Sequence, residues 1–206
     1  MNRVGPLCRC FVLGAVLGTL LDGIHAYGDV LEYPDAAFGR WAWFVPVEFG
    51  LLGLGVGLAI PRLERLVARE RVVSWPAGKR LIELLVFVAL YGMTALVGSD
   101  GAPLLAIGLI SLALARLLVA AAPGDWGYVL LAAALGPAAE AALVALGAFD
   151  YRHPDLLGIP YWLPGLWANG GFLVRRLFGP IVLETGSPER PRLLRGRGAD
   201  RSLSRP

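Results

Sequence analysis

Charge is scarce in this chain. Only 17% of its 206 residues are Asp, Glu, Lys or Arg, against 56% hydrophobic residues and a mean hydropathy of +0.62. A soluble domain devotes about a quarter of its residues to charge, so the solvent implied here is a bilayer. Lysine is nearly absent: of 19 basic residues only Lys79 is not arginine, a usage that on an Ala, Gly and Leu background points to a GC-rich bacterial gene. The two cysteines, Cys8 and Cys10, cannot form a zinc site by themselves and read as small packing residues. The two histidines lack metal-site spacing; His25 reads as a satisfied interface residue and His153 as a loop residue. Missing too are a Gly-x-Ser-x-Gly elbow, a His-Glu-x-x-His pair, a phosphate-cradling glycine loop and an aspartate cluster able to hold metal against a lipid pyrophosphate. No catalytic residue, metal ligand or cofactor is therefore assigned, and the chain reads as non-enzymatic.

What the chain does have is apolar length. Six segments, 7–26, 40–61, 79–98, 101–121, 126–148 and 160–179, each approach the ~20 residues that cross a hydrocarbon core of roughly 30 Å. The fold class expected is all-α, a polytopic bundle of six transmembrane helices. Placing the N-terminus in the cytoplasm puts every basic residue except Arg40 and Arg152 on the inner side, and leaves Asp29, Glu32, Asp35, Asp100, Asp150 and Asp155 in the outer loops. The positive-inside rule then makes both termini cytoplasmic. The pI of about 9.1 follows from this topology, so nucleic acid is not expected as a partner. Residues 1–183 form the membrane domain, and 184–206 read as a basic, disordered cytoplasmic tail. The first segment resembles a signal peptide, but no small-residue cleavage site follows it and Asp22 and His25 interrupt its end, so it is read as a retained helix. The loop from Pro61 to Gly78 reads as an extension of the second helix or a short surface helix.

Ionisable groups inside a bilayer cost several kcal/mol unless paired or neutralised, which makes them the first candidates for function. Asp22 lies near the outer end of the first segment, and Glu83, close to Lys79 and Arg80, is assigned to a helical ion pair. Glu48, about 10 Å into the second segment by helix rise, and Glu140, well inside the fifth, have no charged neighbour in sequence. Each is expected to be protonated, bonded across the bundle, or in contact with a wet cavity. Asn169, beside Gly170 and Gly171, has the same readings. Gly14 and Gly18, with Gly53 and Gly57, have the spacing of close helix contacts, read as internal packing first and as a homo-oligomer interface second.

Two outer stretches share an order of motifs. YPDAAFGRWAWFVP precedes the second segment and HPDLLGIPYWLP the sixth, each with a Pro-Asp pair, an aromatic cluster and a proline. In sequence these regions resemble the insulin-induced-gene, or Insig, family. Trp43, Phe44, Val45 and Pro46 match that family's Trp-Trp-Val-Pro lead-in. Pro154, Asp155, Trp162, Leu163, Pro164, Gly170 and Gly171 match its Pro-Asp loop and Trp-Leu-Pro lead-in, and Tyr33, Pro34 and Asp35 its Phe-Pro-Asp. The resemblance implies six membrane helices and a hydrophobic ligand held between them, without catalysis; animal members bind oxysterols and direct sterol-regulatory partners. Two departures limit the transfer. Ala120 to Pro123 replace a charged cytoplasmic run, so those animal partners are not expected, and Glu48 and Phe49 replace a cysteine pair, so the ligand chemistry need not be identical.

The function expected is a sensor or regulator binding a neutral membrane lipid, a sterol-like molecule or diacylglycerol, in a cavity between helices. Glu48, Phe49, Tyr91, Glu140, Trp167 and Asn169 are the candidate lipid-binding residues. The alternative is a small proton-coupled transporter using Glu48 and Glu140, with Pro137 as the candidate helix break. The location expected is a bacterial inner membrane, or the endoplasmic reticulum membrane for a eukaryotic source.

Overall fold

A computed structural model describes residues 4–67, 75–97 and 101–183. Among these residues are six helices: α1 (Val4–Tyr27), α2 (Val45–Val67), α3 (Ala77–Leu96), α4 (Ala102–Val119), α5 (Asp125–Ala145) and α6 (Leu163–Leu183). Four short strands, β1 (Leu31–Glu32), β2 (Ala36–Phe38), β3 (Trp41–Ala42) and β4 (Asp150–Tyr151), occupy the two longest described connections. By length and composition α1, α2, α4 and α5 can each cross a membrane unaided. Lys79, Arg80 and Glu83 in α3, and Arg175 and Arg176 in α6, lower the apolar content of the other two. Large side chains such as Val12, Val16, Leu104, Ile107 and Leu130 point outward, as helices bathed in lipid require. The predicted tail 184–206 and most of the loop after α2 lie outside the described residues.

α6 is the hub on which all five other helices pack. Its small residues make this possible, each admitting a different neighbour. A β-carbon on Gly165 would meet the Leu109 side chain of α4 at 2.8 Å, one on Gly170 the Phe87 ring of α3 at 3.1 Å, and one on Gly171 the Tyr128 carbonyl of α5 at 2.6 Å. Gly170 and Gly171 thus accommodate helices. α1 and α2 close on each other the same way: β-carbons on Gly14 and Gly53 would lie 2.3 Å from the carbonyls of Phe49 and Cys10. These glycines serve internal packing within the chain, where dispersion between closely approaching backbones replaces the hydrophobic effect.

The end of the bundle opposite the termini is tied by backbone pairing. β1 runs antiparallel to β4, with Leu31 opposite Tyr151 and Glu32 opposite Asp150, so the two connections preceding α2 and α6 grip each other. β2 and β3 form a hairpin that turns at Gly39, whose φ of +62° suits glycine. Strand formation shifts two predicted boundaries. α2 begins at Val45 rather than at residue 40, because Trp41 and Ala42 pair with Ala36–Phe38, and α6 begins at Leu163 rather than 160. Glu48 therefore stands in the first turn of α2, not 10 Å inside it.

Candidate functional site

A cavity of 610 Å³ lies among α1, α2, α5 and α6, within the roughly 300–1,000 Å³ range of small-molecule sites. Its α2 wall runs from Glu48 to Leu63 and its α5 wall from Tyr128 to Leu143. Fifteen residues of helix correspond to a length of about 22 Å. Leu52, Leu131 and Leu135 line the cavity yet remain exposed, so it opens sideways to the surrounding lipid between α2 and α5. Towards the termini the walls are apolar, whereas at the strand end Asp22, His25, Tyr33, Glu48, Glu140 and Tyr151 converge.

Each polar group there is placed by a different element. Glu140 on α5 is held twice: the Trp167 indole donates from Nε1 to Oε1 at 2.6 Å, and the Tyr151 hydroxyl donates to Oε2. Trp167 reaches this position because residue 136 is glycine; a β-carbon there would lie 2.0 Å from the indole. Tyr151 is set in place by β4 pairing with β1. On α1, Asp22 Oδ1 accepts a hydrogen bond from the Tyr33 hydroxyl at 3.0 Å. His25, stacked on Tyr91 at 4.4 Å between ring centroids, bonds through Nε2 to Thr94 Oγ1 at 2.8 Å. Because Thr94 Oγ1 already donates to the Tyr91 carbonyl, the imidazole must be the donor in that pair. Burial, reinforced by the neighbouring carboxyls, pushes the phenols of Tyr33 and Tyr151 well above their ordinary range, which keeps both as donors.

Five of the six residues singled out in the sequence, Glu48, Phe49, Tyr91, Glu140 and Trp167, line this one cavity. Asn169 does not. Its amide nitrogen donates to the carbonyls of Leu109 and Gly165 at 3.0 and 2.9 Å, and its oxygen accepts from Arg116 at 3.0 Å, so its side chain joins α6 to α4. Asp22, Tyr33 and Tyr151 were not among the six, and Tyr33, in a loop, and Tyr151, in a two-residue strand, lie where sequence periodicity gives no facing direction. The Pro-Asp motif was the available signal for Tyr33, its immediate neighbour.

At the opposite end of the bundle charges meet charges. Arg175 donates to Glu64 Oε1 and to Asp125 Oδ1, each at 2.7 Å; Arg176 reaches Asp125 Oδ2 at 3.1 Å and also Glu83; Arg116 completes the set on Glu83. Three guanidinium groups balance three carboxylates across α2, α3, α4, α5 and α6. Glu83 is thus structural, but its partners are these arginines rather than Lys79 and Arg80, because the helix turns it towards α4 and α6.

Comparison with known proteins fixes the lineage. A family model described as a protein of unknown function (DUF2878) matches residues 80–177. Over 96% of its length the chain is 31% identical to an INSIG protein homolog from Mycolicibacterium vanbaalenii, covering 98% of that protein. The chain belongs to the Insig family. It is also 26% identical to the insulin-induced gene 1 protein of Danio rerio, over 87% of this chain and 72% of the fish protein. Its fold matches the crystal structure of the mycobacterial Insig homolog MvINS with a TM-score of 0.67 at 27% identity, covering 93% of this chain and 98% of that one. A cross-linked trimer of MvINS matches with the same TM-score at 28% identity. A six-helix, multi-pass membrane protein of the Insig type is therefore the identity that sequence and structure share.

Proposed function

We propose that this protein is a non-enzymatic sensor or regulator that binds a neutral membrane lipid, diacylglycerol or a sterol-like molecule, in the cavity between α1, α2, α5 and α6. The observation that carries this reading is the cavity's polarity along its length. Its apolar walls extend over about 22 Å by helix rise, while its polar groups gather at the strand end. An amphipathic lipid entering from the membrane through the side opening would place its tail along Val56, Leu63 and Leu131 and its head near Glu48 and Glu140. Among the described residues no guanidinium or ammonium group lines the cavity, which disfavours a phosphate headgroup there. The transporter alternative gains nothing from the fold, since α5 runs without interruption through Pro137.

The membrane proposed is the bacterial inner membrane with both termini cytoplasmic, supported by the arginine distribution and the mycobacterial relative. Self-association is supported by the MvINS trimer. Gly14 and Gly53 are occupied by the α1–α2 contact, so the interface would use other surfaces. Native mass spectrometry of the detergent-purified protein tests the lipid reading. A co-purifying neutral lipid, and a rise in melting temperature on adding diacylglycerol, are expected; absence of both overturns it.

A further inference from the structure

The donors and acceptors of the cavity's polar end do not balance. The hydroxyls of Tyr33 and Tyr151, the indole of Trp167 and the imidazole of His25 all donate to protein acceptors. Among the described lining groups, only the Tyr91 hydroxyl has its hydrogen uncommitted, and a phenol can accept as readily as donate. The acceptors are in surplus. Asp22 is only 6% exposed, lines the cavity, and its Oδ2 is buried without a partner among the described residues, while Oδ1 is taken by Tyr33. The carboxyl of Glu48, across the cavity on α2, has no hydrogen bond or ion pair among the described residues; its backbone N–H is taken by the Phe44 carbonyl. With Glu140, three carboxyls face one low-dielectric space that no lysine or arginine among the described residues lines.

A buried acceptor without a partner is costly, and a ligand that supplies the missing hydrogen recovers that cost. The three carboxyls do not converge into a group able to hold a metal ion among the described residues, so the donors sought are those of a ligand head. We infer that Asp22 and Glu48 form the head-recognition pair of the cavity, and that they select an amphiphile whose head donates hydrogen bonds and carries no negative charge. Asp22 takes one donor at Oδ2 and Glu48 a second. An ionised acid head would bring a negative charge into a low-dielectric space that no described cation lines, and an ether or ester head leaves Asp22 unpaired. This inference rests on the reading of the cavity as a lipid site and adds the chemistry by which it chooses.

Four probes with one common tail separate the possibilities: oleyl alcohol, oleylamine, oleyl methyl ether and oleic acid. Their affinities are measured on the full chain in detergent by concentration-dependent thermal shift. The alcohol or the amine is expected to bind about ten- to a hundredfold more tightly than the ether, the gap appropriate to a hydrogen bond to a charged or buried acceptor, and the acid more weakly still. If the alcohol leads, the natural donor is a hydroxyl; if the amine leads, it is an ammonium. Asp22→Asn presents an amide N–H in place of the free oxygen, so discrimination against the ether should fall to under about threefold. Glu48→Gln, at a half-buried position in the first turn of α2, provides a second variant should Asp22→Asn fail to fold, and should reduce the same ratio. Equal binding of alcohol and ether to the unmodified protein, or a ratio unchanged in both variants, overturns the inference while leaving the cavity a lipid site. Failure of all four probes to bind overturns both.

Discussion

The two ends of this bundle handle buried charge in opposite ways. At the end carrying the termini, Arg116, Arg175 and Arg176 meet Glu64, Glu83 and Asp125 with no surplus of either sign, and Asp125 and Arg175 are almost fully buried. At the strand end Asp22, Glu48 and Glu140 share a cavity with no cation among its described lining residues. A balanced cluster is complete and holds helices in place. An unbalanced one leaves hydrogen-bonding capacity that a ligand can satisfy, and it stands beside the space in which a ligand would fit. Balance, rather than burial, separates the structural charges from those offered here as functional.

The comparison breaks most visibly if the balanced end is unbalanced. Arg175→Ala strips both Glu64 and Asp125 of their shared guanidinium, leaving uncompensated buried charge worth about 3–5 kcal/mol. A loss of monodisperse folded protein, or a large fall in melting temperature, is expected in size-exclusion and thermal-unfolding assays. The cavity can be filled without touching any charge. Gly136→Val would drive the Trp167 indole off α5, since even a β-carbon would stand 2.0 Å from it. Overpacking of this kind costs about 1–3 kcal/mol, and lipid binding should be lost together with the indole contact to Glu140, reported by tryptophan fluorescence. Tyr151→Phe removes one of the two donors to Glu140. It should lower stability by about 1–3 kcal/mol, the penalty of an unsatisfied buried acceptor, while a donor-bearing ligand offsets part of the loss; a denaturant titration with and without diacylglycerol measures both. The smallest effect belongs to the exposed pair Arg40 and Asp29, 2.5 Å apart. Arg40→Gln should change stability by no more than about 1 kcal/mol, and a larger change would show that surface charge at the strand end contributes more than this account allows.

Much of the architecture was legible in the chain, for a physical reason. Apolar runs of membrane length have few alternatives to a helix, because lipid offers no partner to an unpaired backbone group. The helices therefore fall close to the predicted segments, and the Trp43 to Pro46 and Trp162 to Pro164 motifs pointed to the family that the mycobacterial relative shows. Boundaries were less legible where short strands intervene: β3 delays α2 because its partner β2 is found only through a hairpin at Gly39. Glu48, Phe49, Tyr91, Glu140 and Trp167 come together in one cavity, but Asn169 does not, because helical position alone does not say which neighbour a side chain faces. The arginine pair of α6 illustrates the same limit. As a topology signal Arg175 and Arg176 mark one end of a span, whereas the fold turns both inward onto carboxylates from three other helices. Asp22 and Tyr151, 129 positions apart in the chain, line one cavity only because β1 pairs with β4 and α6 gathers the other helices around it.

The most direct test of the central claim, that the unbalanced strand end receives a lipid head, is native mass spectrometry of the unmodified protein beside Asp22→Asn and Glu48→Gln prepared identically. A bound, uncharged or amine-bearing amphiphile is expected on the unmodified chain, with reduced occupancy on both variants at unchanged fold. An unmodified chain that carries no lipid, or variants that retain the same lipid at the same occupancy, would contradict it.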